Sequence, residues 1–389
     1  MQNPDEISAD LDFLTALRRD LHAHPELGFE EERTSAIVSR LLSEAAIAVH
    51  RGLGGTGVVG TLKVGEGSRR IGLRADMDAL AMPETAERPW KSLSPGKMHA
   101  CGHDGHTAML LGAARRLARR RDFSGTVHFI FQPAEEGRGG ARKMVEDGLF
   151  ERFPCDAVYG LHNMPGLRVD EMAVVEGPQL ASSDSWRVTF HGLGTHGAKP
   201  HLGLDPIVAA ATFLAALQTI VGRVVDPLQP AVVSACFLAA GDRKALNVIP
   251  DFVEIGGTAR AYTPEVRDQL EAEICRLAHG AANMHRVSPE YAFERRIPPV
   301  VNEAGATARA LKAARAVFGD KALTQFPPST AGDDFAFFAA KTPGCYVWLG
   351  NGPARDGALH HNGGYDFNDA AMASGVAYWT TLVEQELWA

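Results

Sequence analysis

The stretch Thr126–Phe131 (TVHFIF) runs straight into Gln132–Gly137 (QPAEEG). A short apolar, β-favouring run bounded by a proline-containing turn reads as a buried strand. Two other segments repeat the arrangement: Ile71–Ala75 leads into Asp76 and Asp78, and Ala157–Leu161 leads into His162. Helical patterns at about 104–121 and 138–148 lie between them. Strands alternating with helices imply a largely parallel sheet with covered faces, and ligands of such sheets bind beyond the carboxyl ends of the strands. Residues 76, 78, 135, 136 and 162 are therefore expected to converge although they lie far apart in the chain.

Outward from this core, Leu11, Leu14, Leu17 and Leu21 signal a first helix ending at His24-Pro25, and a second amphipathic helix covers about 31–45. The GLGGTG at 52–57 matches a dinucleotide-binding pattern in letters only. It is followed by the strand-like Val58–Val64, whereas phosphate binding needs a helix N-terminus there, so it is read as a glycine turn entering a hairpin. Near residue 184 the texture changes to strand (Trp186–His191), helix (Asp205-Pro206 to about Gly222), strands (Ala231–Leu238, Phe252–Ala261), helix (Pro264–Ala282) and strand (Val287–Glu294). That is a βαββαβ, ferredoxin-like unit. Ile297-Pro298-Pro299 reads as its exit, and helices near 303–319, 333–341 and 367–387 with a strand at Cys345–Leu349 return to the first domain. The fold class is thus mixed α/β, a catalytic domain (1–183 and 297–389) carrying an inserted domain (184–296).

A net charge of −8 argues against a nucleic-acid partner. The basic run Arg115, Arg116, Arg119, Arg120 and Arg121 sits where cations complement a helix dipole. The acidic amino terminus lacks the apolar core of a signal peptide, and no apolar run approaches the roughly 20 residues of a membrane span. Five scattered cysteines suggest no disulfide framework, so a reducing cytoplasm is expected. Cys236 and Cys345 read as core, and Cys155 and Cys275 have no assignment.

Chemistry concentrates at 99–106, HACGHDGH, where Cys101, His103, Asp104 and His106 crowd a loop that opens a helix. Thiolate and imidazole suit a borderline-soft divalent metal. Cys101, His103, Glu136, His162 and a C-terminal histidine make five plausible ligands, one more than a closed tetrahedral site takes, which suits two metals sharing one thiolate. Asp78 fits an acceptor orienting a metal-bound histidine, with direct ligation the weaker alternative. Asp76 fits a loop cap or pair. Asp104 and His106 are assigned to the helix start rather than to coordination, and His22 and His24 to packing of the first helix.

HACGHDGHTAMLLGAA, FQPAEEG, LHNMP, GLGTHGAKPH, NVIPD, GTAR and HNGGYDFND, in that order from about Leu17 to Asp369, resemble the M20 metallopeptidase family. The similarity is to its amidohydrolase branch, which cleaves N-acyl amino acids to a carboxylic acid and a free amino acid. The resemblance implies two divalent ions per subunit (Zn²⁺ or Mn²⁺ foremost, with Ni²⁺, Co²⁺ or Fe²⁺ as others). One would be held by Cys101, Glu136 and His361, the other by Cys101, His103 and His162. It implies Glu135 as the general base and acid that activates water for attack on the amide. His361 is chosen over its neighbour His360 by alignment of Tyr365–Asp369, although Gly363 stands where the family usually has proline. It further implies that His196 reaches the substrate oxyanion, in many relatives from the partner subunit, and that Asn247 and Arg260 bind the substrate's carboxylate or carbonyl. A homodimer built through the inserted lid, or a tetramer, is implied as well. Rival readings are a dipeptidase or aminopeptidase with the same machinery, a metal-binding protein without catalysis, and an amidase with Cys101 as nucleophile.

Overall fold

A computed structural model describes residues 4–354 and 358–388. The chain divides into two compact units, one of residues 1–177, 301–327 and 333–389, the other of 178–300 and 328–332. The sequence reading put the divisions at 184 and 296.

The first unit holds an eight-stranded sheet in the order 48–53, 57–64, 125–132, 70–76, 157–164, 344–350, 172–173, 322–323. The neighbours Gly125–Gln132, Arg70–Asp76, Ala157–Met164 and Gly344–Gly350 run parallel. Asp76 lies beside Gln132, and Gly350 beside Met164, so all four carboxyl ends reach one edge. The GLGGTG turn joins the antiparallel pair Ala48–Leu53 and Gly57–Val64, as a hairpin requires. Helices Pro4–Ala23, His103–Arg120 and Met372–Glu386 send Leu14, Leu21, Leu110, Leu117, Trp379 and Leu382 into one core with Phe129, Tyr159 and Val347. Each such leucine contributes about 2 kcal/mol of burial, and this core fixes the strand ends. The helix expected over 333–341 shortens to Ala336–Ala339, because Asp333 and Asp334 are drawn into buried ion pairs instead.

The second unit has strand order 231–240, 252–261, 183–191, 288–297, all antiparallel. Helices Pro206–Leu217 and Pro264–His285 pack Phe213, Leu217, Leu270 and Ile274 against Val188, Phe190 and Ile255. Asp205 caps the first helix by accepting the Ile207 N–H at 2.8 Å. Two expectations need correction here. Pro206–Val224, 19 residues of mean hydropathy 1.7, is long and apolar enough to cross a membrane. One of its faces nonetheless packs on the sheet, while Ile207, Val208 and Val221 are exposed. Cys236 is exposed rather than core, because Ala231–Ala240 is an edge strand whose register slips between Ala235 and Phe237.

Candidate metal centre

Local backbone chemistry explains the glycines of the CGHDGH stretch. Gly102 precedes helix His103–Arg120 at φ +94°, a left-handed conformation costly for any residue with a Cβ. At Gly105 a Cβ would lie 2.3 Å from the Phe367 ring, so only glycine lets the C-terminal motif dock on this helix. That docking brings in His361, whose N–H donates to the Ala100 carbonyl at 2.8 Å and whose own φ is +57°. Strain of this kind in a non-glycine residue concentrates at functional sites. Gly363 is also accounted for: a Cβ there would stand 2.8 Å from the Pro83 carbonyl oxygen.

The five expected ligands meet at the sheet edge. Donor atoms of Cys101, Glu136 and His361 lie within 4.8 Å of one another. His361 Nε2 is 3.3 Å from Glu136 Oε1, Cys101 Sγ is 3.4 Å from His162 Nε2, and His103 Nε2 is 4.0 Å from Glu136 Oε1. His360 packs its ring 4.9 Å from that of His162, with its Nε2 3.1 Å from Asn163 Oδ1. Asn163 also donates to the Cys101 carbonyl at 2.6 Å, joining the two loops.

The remaining ring nitrogens are held by neighbours. His103 Nδ1 faces the Asp78 carbonyl oxygen at 2.9 Å and its carboxylate at 3.3 Å, while Asp78 Oδ2 accepts the Glu136 N–H at 3.0 Å. Asp78 thus aims two ligands at once. His162 Nδ1 donates to the Asn163 carbonyl at 2.7 Å, leaving Nε2 as the lone-pair nitrogen. Asp76, His103, His106 and His162 also form a cluster of donors. His106, however, is engaged at both nitrogens, by Asp76 Oδ1 at 2.6 Å and the Asn163 N–H at 3.0 Å. Asp76 in turn pairs with Arg74 at 2.7 Å.

Glu135 and Glu136 sit in a turn that opens at Ala134 with φ +53°. Both approach His103, so their side chains do not point to opposite sides. They differ in their other neighbours: Glu136 meets Cys101 and His361, Glu135 meets Asp333 and Asp334. Burial and the charges of Asp333, Glu136 and Asp334 raise the Glu135 carboxyl well above its ordinary value, the direction a general base needs.

Several functional supports escaped the sequence reading. Arg74, wholly buried, binds Gln132 at 2.8 Å and Asp333 at 3.0 Å, and Tyr346 donates to Asp333 at 2.6 Å. A charged residue inside the apolar run IGLRAD was the available signal. His22 is not mere packing. Its Nδ1 faces Asp104 Oδ2 at 2.8 Å and its Nε2 faces Glu84 Oε1 at 3.4 Å. Carboxylates at both nitrogens make it an imidazolium: burial would lower its pKa, but these bonds raise it to about 9. Arg18 joins Asp104, Asp366 and Asp369, so this network ties the start of the Cys101–His103 helix to the C-terminal segment.

A metal fits this donor set. His103 Nε2 and Glu136 Oε1 are buried without a hydrogen-bond partner, a costly state unless another acceptor of their lone pairs is present. Burial and Glu136 push the Cys101 thiol up, so a thiolate here calls for a cation beside it. Burial and neighbouring imidazoles keep His162 neutral, the ligating form.

In the second unit, His196 and Asn247 come together. Strand Thr195–His196 pairs with Val248–Ile249, and the Gly197 N–H donates to the Asn247 carbonyl at 2.6 Å. His196 Nδ1 accepts the Ala198 N–H at 3.0 Å, leaving Nε2–H as an exposed donor. Arg260 is not with them. It lies at the far end of Phe252–Ala261, eight residues or about 26 Å along the strand.

Hippurate hydrolase of Campylobacter jejuni is 41% identical over 367 residues, covering 94% of each chain. N-acetylcysteine deacetylase of Bacillus subtilis is 38% identical over 371 residues, covering 95% of each. Among solved structures, a dinuclear metal binding peptidase of the M20 family from Bacillus subtilis superposes with a TM-score of 0.86 at 35% identity, covering 98% of this chain and 99% of that one. Residues 72–385 match the family description directly. With its ligand loops at the carboxyl ends of a parallel sheet and these relatives across nearly its whole length, the chain belongs to Peptidase family M20/M25/M40.

Proposed function

We propose that the protein hydrolyses the amide bond of N-acyl amino acids, releasing a carboxylic acid and a free amino acid. The observation that carries this reading is the buried Glu135 carboxylate beside the converged donors of Cys101, His103, Glu136, His162 and His361. The relatives' names, hippurate hydrolase and N-acetylcysteine deacetylase, support the substrate class. Cys101, Glu136 and His361 would hold one divalent cation, and Cys101, His103 and His162 a second, with Zn²⁺ or Mn²⁺ matching the donor types. When bound, the ions supply Lewis acidity that draws the pKa of water towards neutrality.

Glu135 accepts the proton of the attacking water and returns it to the amide nitrogen as the C–N bond breaks. Asp78 keeps His103 and Glu136 aimed. His196 Nε2–H donates to the carbonyl oxygen as charge develops there, and Asn247 and Arg260 bind the substrate's polar groups. Arg260 lies about 26 Å of strand away from Phe252, the end beside which the segment leading to His196 begins, a separation that favours their serving one site from different subunits. A homodimer through the second unit meets that need, and the exposed edge strand with Phe237 and Leu238 supports it. All five cysteines are unpaired, which supports a reducing cytoplasm.

The test is Glu135→Gln with metal content measured, assayed with N-benzoyl and N-acetyl amino acids and unblocked dipeptides. We expect full metal, a loss of kcat of at least 10²-fold and wild-type preference for the N-acyl substrates. Activity retained in the variant removes the base, and preference for dipeptides makes the enzyme a peptidase.

A further inference from the structure

The motif HPELGFEEERT at 24–34 has no part in the chemistry above, yet it lies directly under the loop that carries Glu135. Glu31 stands at the N-terminus of helix Glu32–Glu44 but makes no side-chain cap. The capping is done by Glu26, whose carboxylate accepts the N–H groups of Arg33 at 2.9 Å and Thr34 at 2.8 Å. Glu31 is thereby free to turn inwards, where it is 0% exposed. Its Oε1 accepts the Ala134 N–H at 2.8 Å and its Oε2 the Thr56 hydroxyl at 2.5 Å.

Ala134 is the residue before Glu135, and its φ of +53° is one that alanine avoids. It is pinned from both sides, since its carbonyl accepts the Gly140 N–H at 3.0 Å. The fit is close: a Cβ on Gly28 would lie 2.9 Å from the Ala134 Cα. Arg138 closes the contact by donating to the Gly28 carbonyl at 2.9 Å. Glu136 has an anchor of its own in Asp78. Among the described residues the Glu135 side chain has no hydrogen-bonding anchor, so its direction follows the backbone at Ala134.

We infer that Glu31 is a positioning residue, holding Ala134 in its left-handed conformation so that the Glu135 carboxylate is aimed at the reacting centre. The inference rests on Glu135 acting as the base. Removing the carboxylate lets Ala134 relax towards its ordinary backbone region, which swings Glu135 while Asp78 keeps Glu136 on the metal. Misplacement of a catalytic group by about 1 Å costs on the order of 10²-fold.

The experiment uses the metal-loaded full chain. Glu31→Ala is expected to lower kcat about 10²-fold with KM and metal content within about twofold of wild type. Glu31→Gln is expected to keep most of kcat, because the amide oxygen still accepts the Ala134 N–H and the amide nitrogen reaches Thr56. Ala134→Gly added to Glu31→Ala is expected to recover kcat several-fold, since glycine carries no penalty at positive φ. Should Glu31→Ala not fold, Glu31→Leu keeps the side-chain volume and removes the acceptors. Wild-type kcat in a folded, less heat-stable Glu31→Ala or Glu31→Leu protein, alongside an inactive Glu135→Gln, would overturn the role of Glu31 alone. Activity retained in Glu135→Gln would overturn the base and this role with it.

Discussion

Replacing His22 by glutamine should abolish a specific pH dependence of stability. The imidazole is wholly buried between Asp104 and Glu84, and these hydrogen bonds raise its pKa from the ordinary 6.5 to about 9. At 1.36 kcal/mol per unit this is a contribution of about 3 kcal/mol. The sign follows from linkage: the folded state binds the proton more tightly, so the contribution is complete below pH 6.5, declines as pH rises, and is gone above pH 9. For a unit of this size the loss corresponds to a fall in Tm on the order of 6–12 °C. Thermal unfolding of metal-saturated wild type and His22→Gln between pH 6 and 9.5 measures it. The variant should be less stable at pH 6 and converge on wild type by pH 9.5, because glutamine cannot donate to both carboxylates as a cation does. Parallel curves separated by a constant offset would show that His22 is not charged in the folded protein, and the account of the network would be wrong.

Two further outcomes follow from the site and the second unit. His361→Ala should lose about one metal per subunit together with activity, whereas His360→Ala should keep its metals, because His360 Nε2 is committed to Asn163; elemental analysis separates the two, and the reverse pattern would exchange their roles. If the proposed dimer forms through the exposed edge strand, Phe237→Lys should shift the sedimenting species from dimer to monomer without disturbing the candidate metal centre; an unchanged mass would place any dimer contact elsewhere.

The parallel sheet was legible because its signal is local. Ile71–Ala75, Thr126–Phe131 and Ala157–Leu161 are continuous apolar runs, and a strand buried on both faces needs nothing else. The candidate metal ligands stood out for a different reason. Cysteine and histidine are scarce residues, so HACGHDGH and LHN stand out, and the carboxyl-end rule for parallel sheets predicts their convergence before any contact is known. Register with the downstream motif favoured His361 over His360, and in the structure His361 faces Glu136 while His360 faces Asn163.

What the sequence hid were charges whose partners lie far along the chain. Arg74 finds Asp333 across 259 positions, Arg18 finds Asp369 across 351, and Glu31 finds Ala134 across 103. Charged residues are normally solvated, so composition and periodicity assign such side chains to the surface, and no local pattern says which of them are buried with a partner. The same limit explains Cys236, whose apolar neighbours read as core although its strand is an edge. Sequence alone determined the elements, their alternation and the inventory of candidate metal-binding side chains, because backbone preference and ligand chemistry are properties of short segments. Tertiary structure decided which carboxylates and cations face one another and how the Glu135 loop is held, because those are set by the packing of distant segments.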